Sequence, residues 1–234
     1  MTKDAILSVK NLNVILEGEE IIRDLSFEIK ENEIFTILGP NGAGKTILLR
    51  TLLGFLPYKG EIKWKKELKI GYLPQGLTQL KVKELPLSVS EFFGLKDVSQ
   101  EKAKYFLELV GIKEKAFLGK EAGNLSSGQF QRMLIAWVLS DNPQVLLFDE
   151  PTTGVDVGGE KTIYSLLYRF WKEKKLTILL VTHDLNVIYK YSTRVLCLNK
   201  REICSGPPRE ILSPEVLEET YGSGIKFYQH HHSI

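Results

Sequence analysis

The chain has 234 residues, 43% of them apolar, and its 31 Lys and Arg against 29 Asp and Glu leave a formal charge of +2. This composition supports a packed core and excludes a disordered chain. The near balance of charge, with no long basic stripe, argues against bulk electrostatic binding of nucleic acid.

The length fits one α/β catalytic domain with an inserted helical lobe. The N-terminus, MTKDAILSVK, lacks the apolar core of a signal peptide. No apolar run approaches the ~18 residues that a membrane-spanning helix needs.

In chain order, residues 6–15 and 26–29 read as strands. Residues 33–38 (EIFTIL) are a short β-rich run that leads into a glycine-rich loop. A helix follows from about Lys45 to Leu53, with Leu48, Leu49, Leu52 and Leu53 on one face. Strands resume near 61–64 and 69–73. From Gly76 to Ser140 the pattern turns helical, notably over 101–110 and 128–139, and this stretch is the expected lobe. Residues 145–148 (VLLF) form a buried strand ended by Asp149 and Glu150, a helix is expected over 160–173, and TILLV at 177–181 is another buried strand. Strands alternating with helices imply a mostly parallel sheet with helices on its faces. Cys197 and Cys204 sit in a strand-like stretch with no Cys or His nearby to complete a zinc pattern, and they are expected as reduced thiols. Gly206, Pro207, Pro208 and Pro214 mark a boundary before a short C-terminal helix, and 223–234 are expected to form a mobile tail.

Gly39, Pro40, Asn41, Gly42, Ala43, Gly44, Lys45 and Thr46 match the P-loop pattern between a buried strand and a helix. Glycines let successive backbone N–H groups turn inward around a phosphate, and the helix N-terminus adds partial positive charge. Lys45 can reach the β- and γ-phosphates, and the Thr46 hydroxyl can bind Mg²⁺. Asp149 closes an apolar strand where a metal-phosphate needs a carboxylate ligand. Glu150 can orient or deprotonate an attacking water. The acidic pair alone is weak, since it could equally cap a helix; beside a P-loop it gains meaning.

Leu125, Ser126, Ser127, Gly128 and Gln129, followed by FQRMLIAWVL, resemble the signature sequence LSGGQ of the ABC ATPase family. An ordinary Ser-capped helix is the plain alternative. In that family the motif starts a helix whose N–H groups face the γ-phosphate bound to the other subunit. The resemblance covers roughly 6–222. It implies that Gln75, in GYLPQ, is the Q-loop glutamine, which senses Mg²⁺ and the attacking water. It implies that Asp156, in TTGVD, is the D-loop aspartate and that His183, in VTHD, holds the γ-phosphate and the water. It also implies a P-loop ABC ATPase core with a mostly parallel sheet, an antiparallel β part and the inserted helical lobe. The divisions expected are 1–75 and 141–222 for the core, 76–140 for the lobe and 223–234 for the tail.

Three positions depart from the family pattern. Ser127 replaces a glycine of the signature. Ile47 stands where a hydroxyl residue often contacts phosphate. Leu16 stands where many members place an aromatic on adenine.

The implied ligands are ATP and Mg. The implied assembly is a homodimer in the ATP-bound state beneath integral membrane permease subunits, at the cytoplasmic face of the membrane, with an extracytoplasmic substrate-binding protein and no nucleic acid. HDLNVIYKYSTRVLCLNK, CSGPPREILSPEVLEETYG and LPLSVSEFF resemble the ATPases of zinc and manganese importers. Within the family, import of an iron chelate or another nutrient is the alternative. A soluble ABC ATPase acting on DNA or the ribosome is disfavoured by the single cassette and the near-neutral charge. A non-hydrolysing adaptor is disfavoured by the presence of Glu150 and His183.

His230, His231 and His232 suit Zn²⁺ chemically. Three adjacent imidazoles on a flexible tail are poorly preorganised, so they stay outside the candidate site. Among the apolar residues from Gln75 to Phe93 (Leu77, Leu80, Leu85, Leu87, Val89, Phe92 and Phe93), some are expected in the core. The others are expected to line a groove for a permease helix.

Overall fold

In the computed structural model, residues 4–76, 86–114, 116–152 and 157–222 are described, with side chains in the last stretch from 163 onward. Two long strands, β1 (Ala5–Leu16) and β2 (Glu19–Lys30), pair antiparallel across a two-residue turn at Glu17 and Gly18, both with positive φ. With β4 (Lys59–Trp64) on the other flank of β1 they make a three-stranded antiparallel sheet in the order β2-β1-β4. Sequence patterning places only 26–29 of β2 in a strand, because Glu19, Glu20, Arg23 and Asp24 interrupt its apolar run.

The second sheet has six strands in the order β5-β6-β7-β3-β8-β9. Here β3 is Ile34–Leu38, β5 Ile70–Leu73, β6 Val145–Asp149 and β7 Thr177–Val181, with β8 (Arg194–Asn199) and β9 (Arg201–Gly206) beyond. All neighbours are parallel except the β8–β9 hairpin. Successive residues of a strand face opposite sides, and both sides here are covered. Leu146, Phe148, Ile178 and Leu180 join a core that includes Phe93, Phe130, Met133 and Phe170. Val145, Leu147, Leu179 and Val181 join the core shared with α1 (Lys45–Leu52) and the antiparallel sheet. Burial on both faces is why these strands read as unbroken apolar runs.

Helices α2 (Val89–Gly94), α3 (Gln100–Leu109) and α4 (Ser127–Leu139), with short 3₁₀ turns at Phe117–Gly119 and Ala122–Asn124, lie between β5 and β6 in the chain. Each helix starts on a serine: Ser88, Ser99 and Ser126 accept a hydrogen bond from an N–H of the first turn. Val89, Phe92 and Phe93 are core residues, 0%, 6% and 0% exposed, so they line no surface groove. Leu87 is half-buried against the same core, while Leu77, Leu80 and Leu85 lie outside the described residues. The remaining helices among the described residues are α5 (Val157–Lys174), α6 (Leu185–Tyr191), α7 (Pro208–Ile211) and α8 (Pro214–Tyr221). Among the described residues, no helix is long and apolar enough to cross a membrane.

The cysteines depart from expectation. Cys197 and Cys204 stand directly opposite each other on β8 and β9 with Cα atoms 4.9 Å apart, and they form a disulfide rather than two thiols. The hairpin register causes this, bringing together two positions seven apart that sequence spacing alone does not pair.

Candidate active site

Strand order assembles the site. Along one edge, β5, β6, β7 and β3 are consecutive parallel neighbours, so the segments leaving their carboxyl ends are consecutive too. They carry Gln75 after β5, Asp149 and Glu150 at the end of β6, His183 after β7, and Gly39 to Thr46 after β3. Ligands of open α/β sheets bind at this edge.

The glycine-rich loop needs its glycines for geometry. A Cβ on Gly39 would lie 2.1 Å from the Leu198 carbonyl oxygen of β8. Gly42 and Gly44 adopt φ of 80° and 93°, and Gly44 is the N-cap of α1. Lys45 is buried, and its Nζ donates to the carbonyl oxygens of Gly39 and Pro40, both at 2.9 Å. Burial lowers its pKa, while Glu150 and Asp149 work in the other direction. A cavity of about 430 Å³ opens over the loop, lined by Glu19, Ile21, Asn41, Gly42, Gly44, Lys45, Thr46, Ile47, Gln75 and Glu150.

Asp149 is 1% exposed, and neither carboxylate oxygen has a hydrogen-bond partner of good geometry. Burial raises its pKa and the Glu150 charge adds to the rise; the Thr46 hydroxyl, Lys45 and Arg50 oppose it. A buried carboxylate beside the Thr46 hydroxyl, which itself lines the cavity, is an oxygen-rich arrangement that suits a hard divalent cation.

Glu150 adopts φ 47°, a left-handed conformation uncommon for a non-glycine residue. Its N–H donates to Val181 O of β7 at 3.1 Å. Its carboxylate accepts from Gln75 Nε2 at 3.1 Å and lies 3.7 Å from His183 Nδ1. Asp184, next to His183, caps α6 by accepting from Asn186 and Val187. Tyr164 Oη lies 3.2 Å from both Thr152 and Thr182, tying the segment after Glu150 to the segment before His183.

The other expected residues lie elsewhere. Ser126 caps α4 in a reciprocal box: its Oγ accepts from Gln129 N–H at 3.2 Å, and its own N–H donates to Gln129 Oε1 at 3.1 Å. The Gln129 side chain is therefore engaged in the cap. Ser126, Ser127, Gly128 and Gln129 are not among the residues lining the cavity. Leu16, at the end of β1, packs partly buried on the core beneath the antiparallel sheet, while Ile21 and Glu19 of β2 reach the cavity. Sequence reasoning missed both of these, because it places the start of β2 outside any strand. Asp156 lies outside the described residues, as do His230, His231 and His232.

A phosphate loop, an orphaned carboxylate and a positioned glutamate on neighbouring parallel strands define a P-loop nucleotide hydrolase. Residues 22–153, more than half of the chain, match the family described as ABC transporter. The chain belongs to that family, as an ATP-binding and ATP-hydrolysing subunit. It is 37% identical to a metal transport system ATP-binding protein of Thermotoga maritima over 97% of each chain. It is also 37% identical to the zinc import ATP-binding protein ZnuC of Pseudomonas syringae pv. syringae, over 98% of this chain and 88% of that one. Among solved structures, a metal-chelate type ABC transporter in an inward-facing conformation superposes with a TM-score of 0.81 at 26% identity, covering 93% of this chain and 88% of that one. CbiO1 of Clostridium perfringens, part of an ABC transporter complex, superposes with a TM-score of 0.76 at 28% identity, covering 93% and 94%.

Proposed function

We propose that this chain energises uptake of a divalent transition metal, zinc or manganese, by hydrolysing ATP as a homodimer under integral membrane permease subunits. Likeness to metal-transport and zinc-import ATP-binding proteins over nearly the whole chain supports the substrate. Convergence of Gln75, Asp149, Glu150 and His183 on the loop of Lys45 is the observation that carries the chemistry. The partner reading places the chain peripherally at the cytoplasmic face, with an extracytoplasmic binding protein delivering the cargo. It takes 1–75 and 141–222 as the catalytic core, 76–140 as a helical lobe and 223–234 as a tail.

In the proposed reaction, the N–H groups of Gly42 to Thr46 cradle the phosphates, and Pro40, Asn41 and Ala43 shape the turn. Lys45 exchanges the Gly39 and Pro40 carbonyls for phosphate oxygens. Thr46, Asp149 and Gln75 would hold Mg²⁺, which supplies neutralisation of charge on the β- and γ-phosphate oxygens. Glu150 accepts a proton from water as the water oxygen bonds to the γ-phosphorus and the bond to the β–γ bridging oxygen breaks. His183 helps to hold the γ-phosphate and the water. Ser126, Ser127, Gly128 and Gln129 present the start of α4 to ATP on the opposite subunit, where a helix leaves N–H groups without an intrahelical partner. Asp156 belongs to the same interface, Ile47 flanks the phosphates, and Leu16 borders the base.

The test is a strain lacking this subunit and any duplicate system, grown with zinc and manganese chelated. Poor growth and low metal uptake, restored by the wild-type chain and not by a Lys45→Ala chain, are expected. Normal uptake of both metals rejects the substrate assignment.

A further inference from the structure

The C-terminal helix α8 reaches the phosphate loop. It packs against β8 and β9. Ser213 caps its start, Asn199 Nδ2 donates to Thr220 O at 3.2 Å, and Leu217 is buried in a cluster with Leu38. Tyr221, the last residue of the helix, is half-buried against that same cluster. Leu38 directly precedes Gly39, so the ring arrives where the loop begins.

There the buried N–H of Gly39 meets the Tyr221 hydroxyl. On another side Gly39 abuts the Leu198 carbonyl closely enough to exclude a Cβ. The first residue of the loop is thus held between a carbonyl of β8 and a phenol of α8. Burial pushes the hydroxyl up to about 12, against the Gly39 N–H and with help from the Glu150 charge. The phenol stays neutral at physiological pH, and its oxygen accepts from the Gly39 N–H. Lys200 N–H donates to Ala43 O at 3.3 Å, a second tie between the hairpin and the loop.

We propose that Tyr221 is a positioning residue for nucleotide binding: its hydroxyl fixes Gly39, and so sets where the phosphate loop starts, without touching the phosphates. The proposal rests on reading Gly39 to Thr46 as the phosphate cradle. A loop released at its first residue can drift before its N–H groups converge. That loss weakens ground state and transition state alike, so it belongs in KM rather than kcat.

Tyr221→Phe in the full chain keeps the ring and removes the acceptor. The Kd and KM for ATP are expected to rise about fivefold, the worth of one hydrogen bond, with kcat unchanged. Because the phenol is neutral, the rise should be constant across the neutral pH range. Leu217→Ala, which loosens the same helix without touching the hydroxyl, should lower the thermal midpoint and leave KM in place. An unchanged KM in Tyr221→Phe overturns the proposal. So does an equal rise in Leu217→Ala, which would make helix docking the cause. Unchanged ATP affinity in Lys45→Ala would instead remove the cradle reading, and the proposal with it.

Discussion

Gln75 Nε2 donates to Glu150 Oε2 at 3.1 Å, although the two residues are 75 positions apart in the chain. The pairing of β5 with β6 in register, Leu73 beside Phe148, makes the meeting possible. A carboxylate held from one side by an amide, 3.7 Å from an imidazole, has its orientation set before a nucleotide arrives.

Replacing that carboxylate separates binding from chemistry. Glu150→Gln should retain ATP binding and lose turnover by at least ~10²-fold, the scale of a lost general base. It should also accumulate an ATP-bound dimer. Steady-state hydrolysis and sizing with and without ATP are the measurements, and hydrolysis near wild type would remove Glu150 from its role.

Asp149 carries a stability cost. Its folded-state pKa is raised by burial, so the ionised form is penalised in the native chain. The sign follows: the protein loses stability as pH rises from the ordinary carboxylate value through the raised one, and the penalty is complete above the raised value. Asp149→Asn should therefore raise the nucleotide-free thermal midpoint at neutral pH by about 2–4 °C, the effect of roughly 1 kcal/mol in a chain this size. The gain should vanish as the pH falls below the ordinary carboxylate range. Mg²⁺-dependent hydrolysis should disappear in the same variant. A midpoint that falls at neutral pH would contradict this reading.

Two residues are candidates for the proposed contact with the base. Both pack partly buried on the same core, but Ile21 lines the cavity and Leu16 is not among its lining residues. Ile21→Ala should weaken ATP about fivefold with little change in maximal rate, from roughly 1 kcal/mol of lost apolar burial. Leu16→Tyr, if Leu16 borders adenine, should tighten ATP several-fold through stacking. Titration of ATP and GTP with both variants decides which side chain faces the base.

Ser126 and Gln129 cap α4 reciprocally. Ser126→Ala should cost about 1 kcal/mol of stability and reduce hydrolysis. Chemical denaturation measures the first and the ATP dependence of turnover the second. A full loss of hydrolysis at unchanged stability would show that the hydroxyl acts on nucleotide rather than on the helix.

The parts legible in the sequence are those where one strand, one loop and one chemistry coincide. The run EIFTIL followed by Gly39 to Thr46, and VLLF followed by Asp149, announce themselves because both faces of the central strands are buried and the loops match the P-loop and acidic patterns. Through-space relations were not legible. Nothing along the chain says that Tyr221 meets Gly39, or that hairpin register sets Cys197 opposite Cys204. Periodicity could not separate the core positions Val89, Phe92 and Phe93 from surface ones, because a six-residue helix is too short to show which face is wet. Ile21 was hidden by the charged residues around it in β2.

The strand order also sets how firmly each part of the site is anchored. The phosphate loop hangs from β3, which has ladder partners on both sides. Gln75 hangs from β5, which among the described residues is the last strand of its sheet, joined only to β6. Amide hydrogens of β3 should exchange with solvent only through opening of the whole sheet, and those of β5 through fraying of one edge. The architecture thus joins a stiff anvil under the phosphates to a sprung arm at the glutamine, and mechanical yield is allotted to the arm.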